Sequence, residues 1–421
     1  MAAIMPSQLS PSSPALRPLF GLLGLVLGLV ATARHCAATD FPIDMVVYRE
    51  GVWAFFQGRE VYSVPMMAGD VALPFIYPPF GALALAPFSH PALSHNLAGD
   101  AMLILSNGLL LLCLILVARA VLPASAASWR MPLSTLAWAV TLYWEPVELN
   151  NSFAQINIVV MTLVVLDLVP RRRLVPQGWL IGLATAIKIT PAAMLLYFAL
   201  RRDARALITA ALSALAATVL AALVRWDATK EYFGSVLLGM GSGADFGVDP
   251  SYTSNSSLQA MIIRWSPTPD WADAHHGLLI ALWACCVLLV IAAGARLMRR
   301  LIAADHPTEA WLIGALVMLL ISPVSWSHHW VWLTLILPVA AWHLCASPLR
   351  HRWPLGVVTG TWVLMVVTRP PKWWFGDGIG YEELSLTQRF VVSDYVWMAL
   401  LFFLVVALAQ PPATGTATPA D

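Results

Sequence analysis

The sequence predicts an all-α polytopic membrane protein, and three observations carry that expectation. The chain has 421 residues, of which 59% are apolar and only 11% charged; a soluble domain carries about 25% charged residues. Its mean hydropathy is +0.74. Its apolar residues gather in runs close to the ~20 residues that a helix needs to cross a bilayer. Such a chain cannot cover a water-facing surface of ordinary size. That excludes a cytosolic enzyme, a nucleic-acid binder and a disordered protein.

The elements follow in order. Met1 to Arg17 is rich in Ser and Pro and reads as a disordered tail. The apolar run Pro18 to Thr32 reads as an uncleaved first span; small residues after it, Ala33, Ala37 and Ala38, also fit a signal peptide. Further spans read at 97–120, 131–149, 153–170, 204–224, 277–298, 307–321, 329–346, 354–368 and 395–410. The stretch 174–200 lies between two basic clusters and is interrupted by Lys188, Thr190 and Pro191, so it reads as a hairpin of two short helices bent at Pro191. Polar segments at 40–96, 225–276 and 369–394 lie between the spans. Within the first, Met45–Gln57 and Tyr77–Phe88 read as helices lying along the membrane surface. The tail 411–421 is of low complexity.

Basic residues orient the chain. With both termini in the cytoplasm, the short inner loops hold Arg17, Arg119, Arg130, Arg171–Arg173, Arg201, Arg202, Arg205, Arg296, Arg299, Arg300, Arg350 and Arg352. Every large polar segment is then external, and most acids lie outside. Cys36, Cys113, Cys285, Cys286 and Cys345 show neither zinc spacing nor a disulfide framework. They read as small apolar residues.

No P-loop, no GxGxxG after a strand, no HExxH and no GxSxG is present. Chemistry is carried instead by polar residues gathered on the external side. Asp40 and Asp44, in T-D-F-P-I-D-M-V-V-Y-R, are candidate general bases, or else a loop acid and a helix cap. Tyr77 heads Y-P-P, a rigid entry to the next helix. Gln155 and Asn157 read as amides within an apolar helix, bonded to a neighbouring helix or to substrate. Lys188, an ammonium at membrane depth, asks for a partner, either a lipid phosphate or a carboxylate such as Asp167. Asn255 and Arg264 bound N-S-S-L-Q-A-M-I-I-R, which is either a capped loop helix or a phosphate contact. His328 and His329 stand in S-P-V-S-W-S-H-H-W, where adjacent helical positions diverge by about 100°. No further His or Cys stands at ligand spacing from them, so no metal is expected there.

In their order and spacing, D-x-x-V-Y at Asp44, Q-G-R-E-V-Y at Gln57, Y-P-P at Tyr77, Q-x-N at Gln155, A-x-K-x-x-P at Ala186, N-S-S-L at Asn255 and S-P-V-S-W-x-H-H at Ser322 resemble glycosyltransferase family 87 of the GT-C superfamily. The resemblance spans about residues 15–410. It implies a single transmembrane catalytic domain over 18–410, a bundle of about 12 helices with two juxtamembrane helices in the first external loop. It implies transfer of mannose, with inversion, from a polyprenyl-phosphate carrier to a glycolipid acceptor of the phosphatidylinositol mannoside kind, on the outer face of the plasma membrane. The base would be Asp44, with Asp40 second; the family's histidine would be His328 or His329, His328 being preferred. Lys188 and Arg264 would face the leaving phosphate, and neither metal nor cofactor is expected. The partners implied are the donor, the acceptor and the bilayer, not nucleic acid. The alternative reading is a transporter or flippase of a lipid-linked glycan, which calls for polar residues near the midplane rather than at one face.

Overall fold

The computed structural model describes residues 16–170, 172–240, 249–345 and 353–409. Most of both tails, with Arg171, Arg350 and Arg352 of the basic loops, falls outside the described residues.

The chain runs back and forth between two ends of a helical bundle. Helix α1 (Leu16–Ala38) is followed by α2 (Ile43–Gln57), a small hairpin, α3 (Pro79–Leu85) and α4 (His95–Val121). Next come α5 (Arg130–Thr141), α6 (Glu145–Ser152), α7 (Asn157–Leu168), α8 (Trp179–Ile187), α9 (Leu195–Leu200) and α10 (Ala204–Val224). Four short helices follow, α11 (Trp226–Glu231), α12 (Leu237–Gly239), α13 (Leu258–Arg264) and α14 (Pro269–Ala274). The bundle closes with α15 (His276–Ala303), α16 (Pro307–Ile321), α17 (Leu333–Cys345), α18 (Trp353–Val367), α19 (Leu386–Val391) and α20 (Asp394–Ala409). Among the described residues, α1, α4, α10 and α15 are long and apolar enough to cross a membrane. The pair α6–α7 passes the same test as one span bent by 119°.

Long helices turn apolar side chains outward: Leu22 and Leu29 on α1, Ile208 and Leu223 on α10, Leu288 and Leu289 on α15. A water-facing surface does not carry such continuous apolar faces; lipid covers them. Helix α16 is the opposite case. Every residue from Ala310 to Leu320 is buried, as expected of a helix that is apolar all round and packed on all sides. The chain is a membrane protein.

Several sequence expectations coincide with the elements, 204–224 with α10 and 307–321 with α16. Met45–Gln57 and most of Tyr77–Phe88 are helical, as expected. Other expectations are corrected. The span read at 131–149 ends at Thr141, and Glu145–Ser152 forms a separate helix with Pro146 in its first turn. The hairpin at 174–200 breaks at Lys188, which is extended (φ −146°, ψ 129°), three residues before Pro191. Proline has no N–H to give to the carbonyl of Ile187, so the helix stops there and resumes as a 3₁₀ turn, Thr190–Met194. The reversal itself is present. Gly178 lies against Ala206 and Gly182 against Ala210, so α8 and α10 run parallel in direct contact, and the chain returns from one to the other through α9. A strand pair, Met66–Ala68 with Val71–Leu73, was not foreseen. Its two-residue turn uses Gly69 at φ 62°, the left-handed geometry such hairpins require.

The five cysteines are free, as expected. Asp167 does not reach Lys188. Its carboxylate accepts from the backbone N–H groups of Gly178 and Ile181, at the other end of α8. There it satisfies donors that the first turn of a helix leaves open.

Candidate active site

Four separate parts of the chain meet at the tip of the α8–α9 reversal. Helix α2 brings Asp44 and Tyr48, which are four residues apart and therefore on one face. The turn before α3 brings Tyr77, where Pro78 and Pro79 fix the entry to the helix. Gly81 then lets α3 approach: a Cβ there would stand 2.9 Å from the Ile187 carbonyl oxygen. The α6–α7 bend brings Gln155 and Asn157, and the segment between α16 and α17 brings His328 and His329.

The polar atoms form one continuous network. The Gln155 Nε2 donates to Asp44 Oδ2 at 2.6 Å. The Tyr48 hydroxyl donates to Gln155 Oε1 at 2.6 Å and lies 2.6 Å from the Tyr77 hydroxyl. Lys188 Nζ donates to Asn157 Oδ1 at 2.7 Å and, more weakly, to the Tyr77 hydroxyl at 3.4 Å. It also lies 3.1 Å from His329 Nε2. An ammonium can only donate, so Nε2 accepts and His329 carries its proton on Nδ1. Asn157 Nδ2 in turn donates to the backbone carbonyl of His328 at 3.2 Å. Gln155 thus has its amide orientation dictated from both sides, and it holds Asp44 in place.

The Asp44 carboxyl is only partly exposed. Desolvation raises its pKa to about 6, against the Gln155 hydrogen bond and the Lys188 charge, which both lower it. A carboxylate tuned into that range is suited to accept a proton near neutral pH. Beside Lys188, and not beside Asp44 itself, opens a small cleft. Lys188, Asn157, Thr190, Ser322, Ser325 and His329 line it with polar atoms, and Pro191 and Trp332 with apolar ones.

The structure therefore brings together Asp44, Tyr77, Gln155, Asn157, Lys188 and His329. Of these, Asn157, Lys188 and His329 line the cleft, and Asp44, Tyr77 and Gln155 connect to it through the network. The side chains of the other candidates do neither. Asp40 is exposed, in the bend before α2. His328 is buried, packed edge-on against Phe153 and His329. Arg264 is fully buried, and its guanidinium donates to the carbonyls of Ser251, Tyr252 and Asn255 and to Ser393 Oγ. Buried and held by these groups, it shapes the loop and does not line the cleft. Asn255 is likewise structural, donating to the carbonyls of Pro250 and Pro323 and accepting from Ser325 N–H. It is not the cap of α13, a place taken by Ser257. Gln155 and Asn157 are not inside a helix: Gln155 precedes α7 and Asn157 is its first residue.

Two groups escaped the sequence reading. Tyr48, quoted above only as the end of D-x-x-V-Y and not as a site residue, joins the network, and its i+4 spacing from Asp44 was the available signal. Lys372 is fully buried, paired with Asp394 at 3.2 Å and donating to Ser256 Oγ and Ser327 Oγ. It ties the 369–394 segment to the residue preceding His328, and a lone lysine in a loop gave no signal.

Comparison with known proteins bears on the family. The profile of Glycosyltransferase family 87 matches residues 75–323. A protein of Mycobacterium tuberculosis named polyprenol-phosphate-mannose-dependent alpha-(1-2)-phosphatidylinositol mannoside mannosyltransferase is 33% identical, over 92% of this chain and 89% of its own length. Its namesake from Mycolicibacterium smegmatis is 32% identical, over 98% and 95%. Among solved structures, ArnT from Cupriavidus metallidurans bound to undecaprenyl phosphate aligns with a TM-score of 0.42 and 13% identity, over 94% of this chain and 77% of that one. On the profile match and on identity spanning nearly the whole sequence, the chain belongs to glycosyltransferase family 87.

Proposed function

We propose that the protein is an inverting mannosyltransferase of the GT-C type. It takes mannose from polyprenyl-phosphate-mannose and delivers it to a phosphatidylinositol mannoside-like glycolipid, forming an α-1,2 linkage at the outer face of the plasma membrane. Donor, acceptor and linkage follow the names of its relatives. The observation that carries the chemistry is one hydrogen-bonded network that joins the Asp44 carboxylate to the Lys188 ammonium, with Lys188 lining a cleft.

In this reading the acceptor hydroxyl oxygen attacks the anomeric carbon of mannose, and Asp44 takes the hydroxyl proton. The bond from the anomeric carbon to the phosphate oxygen breaks on the opposite face. The bonding pair leaves with the polyprenyl phosphate, whose growing charge Lys188 stabilises. His329, accepting from Lys188, keeps that ammonium aimed into the cleft. In this reading an amine and a carboxylate supply the charge stabilisation and the proton transfer.

The test is transfer of radiolabelled mannose from polyprenyl-phosphate-mannose to membrane glycolipid by the purified protein. Product is expected, at an initial rate that a chelator leaves unchanged. A rate lost to chelator in the Glu309→Gln variant as well as in the wild type would place a metal in the reaction, and no transfer by the wild type would turn attention to other polyprenyl-linked sugars and then to glycan transport. Sidedness is tested at the exposed Asp377 of the 369–394 segment. Asp377→Cys is expected to react with a membrane-impermeant maleimide in intact cells. Reaction only after lysis would reverse the orientation.

A further inference from the structure

At the end of the bundle opposite the cleft, three side chains converge on one point. The turn between α15 and α16 is tight: Asp305 takes a left-handed conformation at φ 61°, and His306 N–H returns to the Leu301 carbonyl. This sets His306 just before α16 and Glu309 in its first turn. His343 comes from the last turn of α17. Glu309 Oε1 lies 3.3 Å from His306 Nδ1 and 2.7 Å from His343 Nε2. One ligand atom of each of the three lies within 4.8 Å of the other two. All three groups are partly open to solvent, with side-chain exposures of 47%, 15% and 25%.

We propose that His306, Glu309 and His343 bind a divalent first-row metal ion, zinc in the first instance, and that this ion clips the start of α16 to the end of α17. Zinc ligates imidazole nitrogen and carboxylate oxygen at about 2.0–2.2 Å, which puts tetrahedral ligand atoms about 3.4 Å apart. The Glu309–His306 separation already meets that spacing; the Glu309–His343 pair opens by several tenths of an ångström. Two nitrogens and one oxygen favour zinc, cobalt or nickel over magnesium or calcium, which take all-oxygen sets. On binding, the proton that each imidazole directs at Glu309 moves to its other ring nitrogen or to solvent, and the metal takes its place. The site is remote from the proposed base and phosphate contact, so it holds structure and takes no part in the reaction. The clip matters because α16 and α17 are joined at their far ends by the Ser322–Trp332 segment, which carries Ser325 and His329 of the cleft.

The experiment uses the full-length, tag-free protein in detergent, stripped with chelator and titrated with Zn2+ and separately with Co2+. The wild type is expected to take up one zinc per chain, to gain Tm with zinc concentration, and to show visible cobalt ligand-field bands. Glu309→Gln and His343→Ala should abolish both uptake and bands. His306→Ala, at the most exposed ligand, should do the same without harming the fold. Failure of the wild type to bind zinc, or unchanged uptake and cobalt bands in all three variants, would overturn the proposal. Neither result bears on the mannosyltransferase reading, whose test is transfer without added metal.

Discussion

Replacing Asp44 by Asn is expected to lower the rate of mannose transfer by about 10²–10⁴-fold, the usual contribution of a positioned general base. The substitution is nearly isosteric, and the asparagine carbonyl can still accept from Gln155 Nε2, so the network and the fold survive. What is lost is the ability to take the acceptor proton. The wild-type pH profile carries the same information. The Asp44 pKa is raised to about 6, and only the ionised form acts as base. The rate should therefore fall close to tenfold for each unit of acidity below about pH 6. In Asp44→Asn the residual rate should lose this acid limb. A folded Asp44→Asn protein with wild-type transfer would remove Asp44 from the mechanism and make Asp40 the next residue to test.

The second large effect is expected at Lys188. Lys188→Met keeps the length and apolar stem of the side chain and removes the ammonium that donates to Asn157, Tyr77 and His329. If that ammonium stabilises the departing phosphate, kcat should fall by about 10²–10³-fold, as for other preorganised electrostatic groups. The change should fall on kcat more than on KM, because the phosphate gains charge as the bond breaks. A second readout follows from electrostatics. The Lys188 charge lowers the Asp44 pKa, so its removal should move the acid limb of the residual rate to higher pH. An unchanged kcat with an unmoved acid limb would show that Lys188 neither faces the phosphate nor shares a field with Asp44.

Much of this was legible in the sequence. Helix boundaries at 204–224 and 307–321 followed from hydropathy alone, because a run of apolar residues bounded by charge is a local property. Asp44, Tyr77, Gln155, Asn157, Lys188 and the histidine pair were visible as polar residues that an apolar chain has no local reason to carry. The errors share a cause. Arg264 and Asn255 looked like ligand contacts because a buried guanidinium and amide need partners, and the sequence does not say that the partners are nearby carbonyls. The preference for His328 over His329 could not be settled by an angular argument. The segment folds as a 3₁₀ turn in which His329 reaches Lys188 while His328 packs against Phe153.

The sequence by itself determined that this is a helical membrane protein of glycosyltransferase family 87 and which polar residues had to be explained. Tertiary structure alone decided which of them meet. Asp44 and Gln155 are 111 residues apart, Lys188 and His329 141 apart, and each pair is joined by a hydrogen bond. Hydropathy and helix periodicity act over one or two turns, so they locate segments. A site depends on directions and distances of about 3 Å between side chains from different segments, and only the packing of α2, α3, α7, α8 and the Ser322–Trp332 segment fixes those.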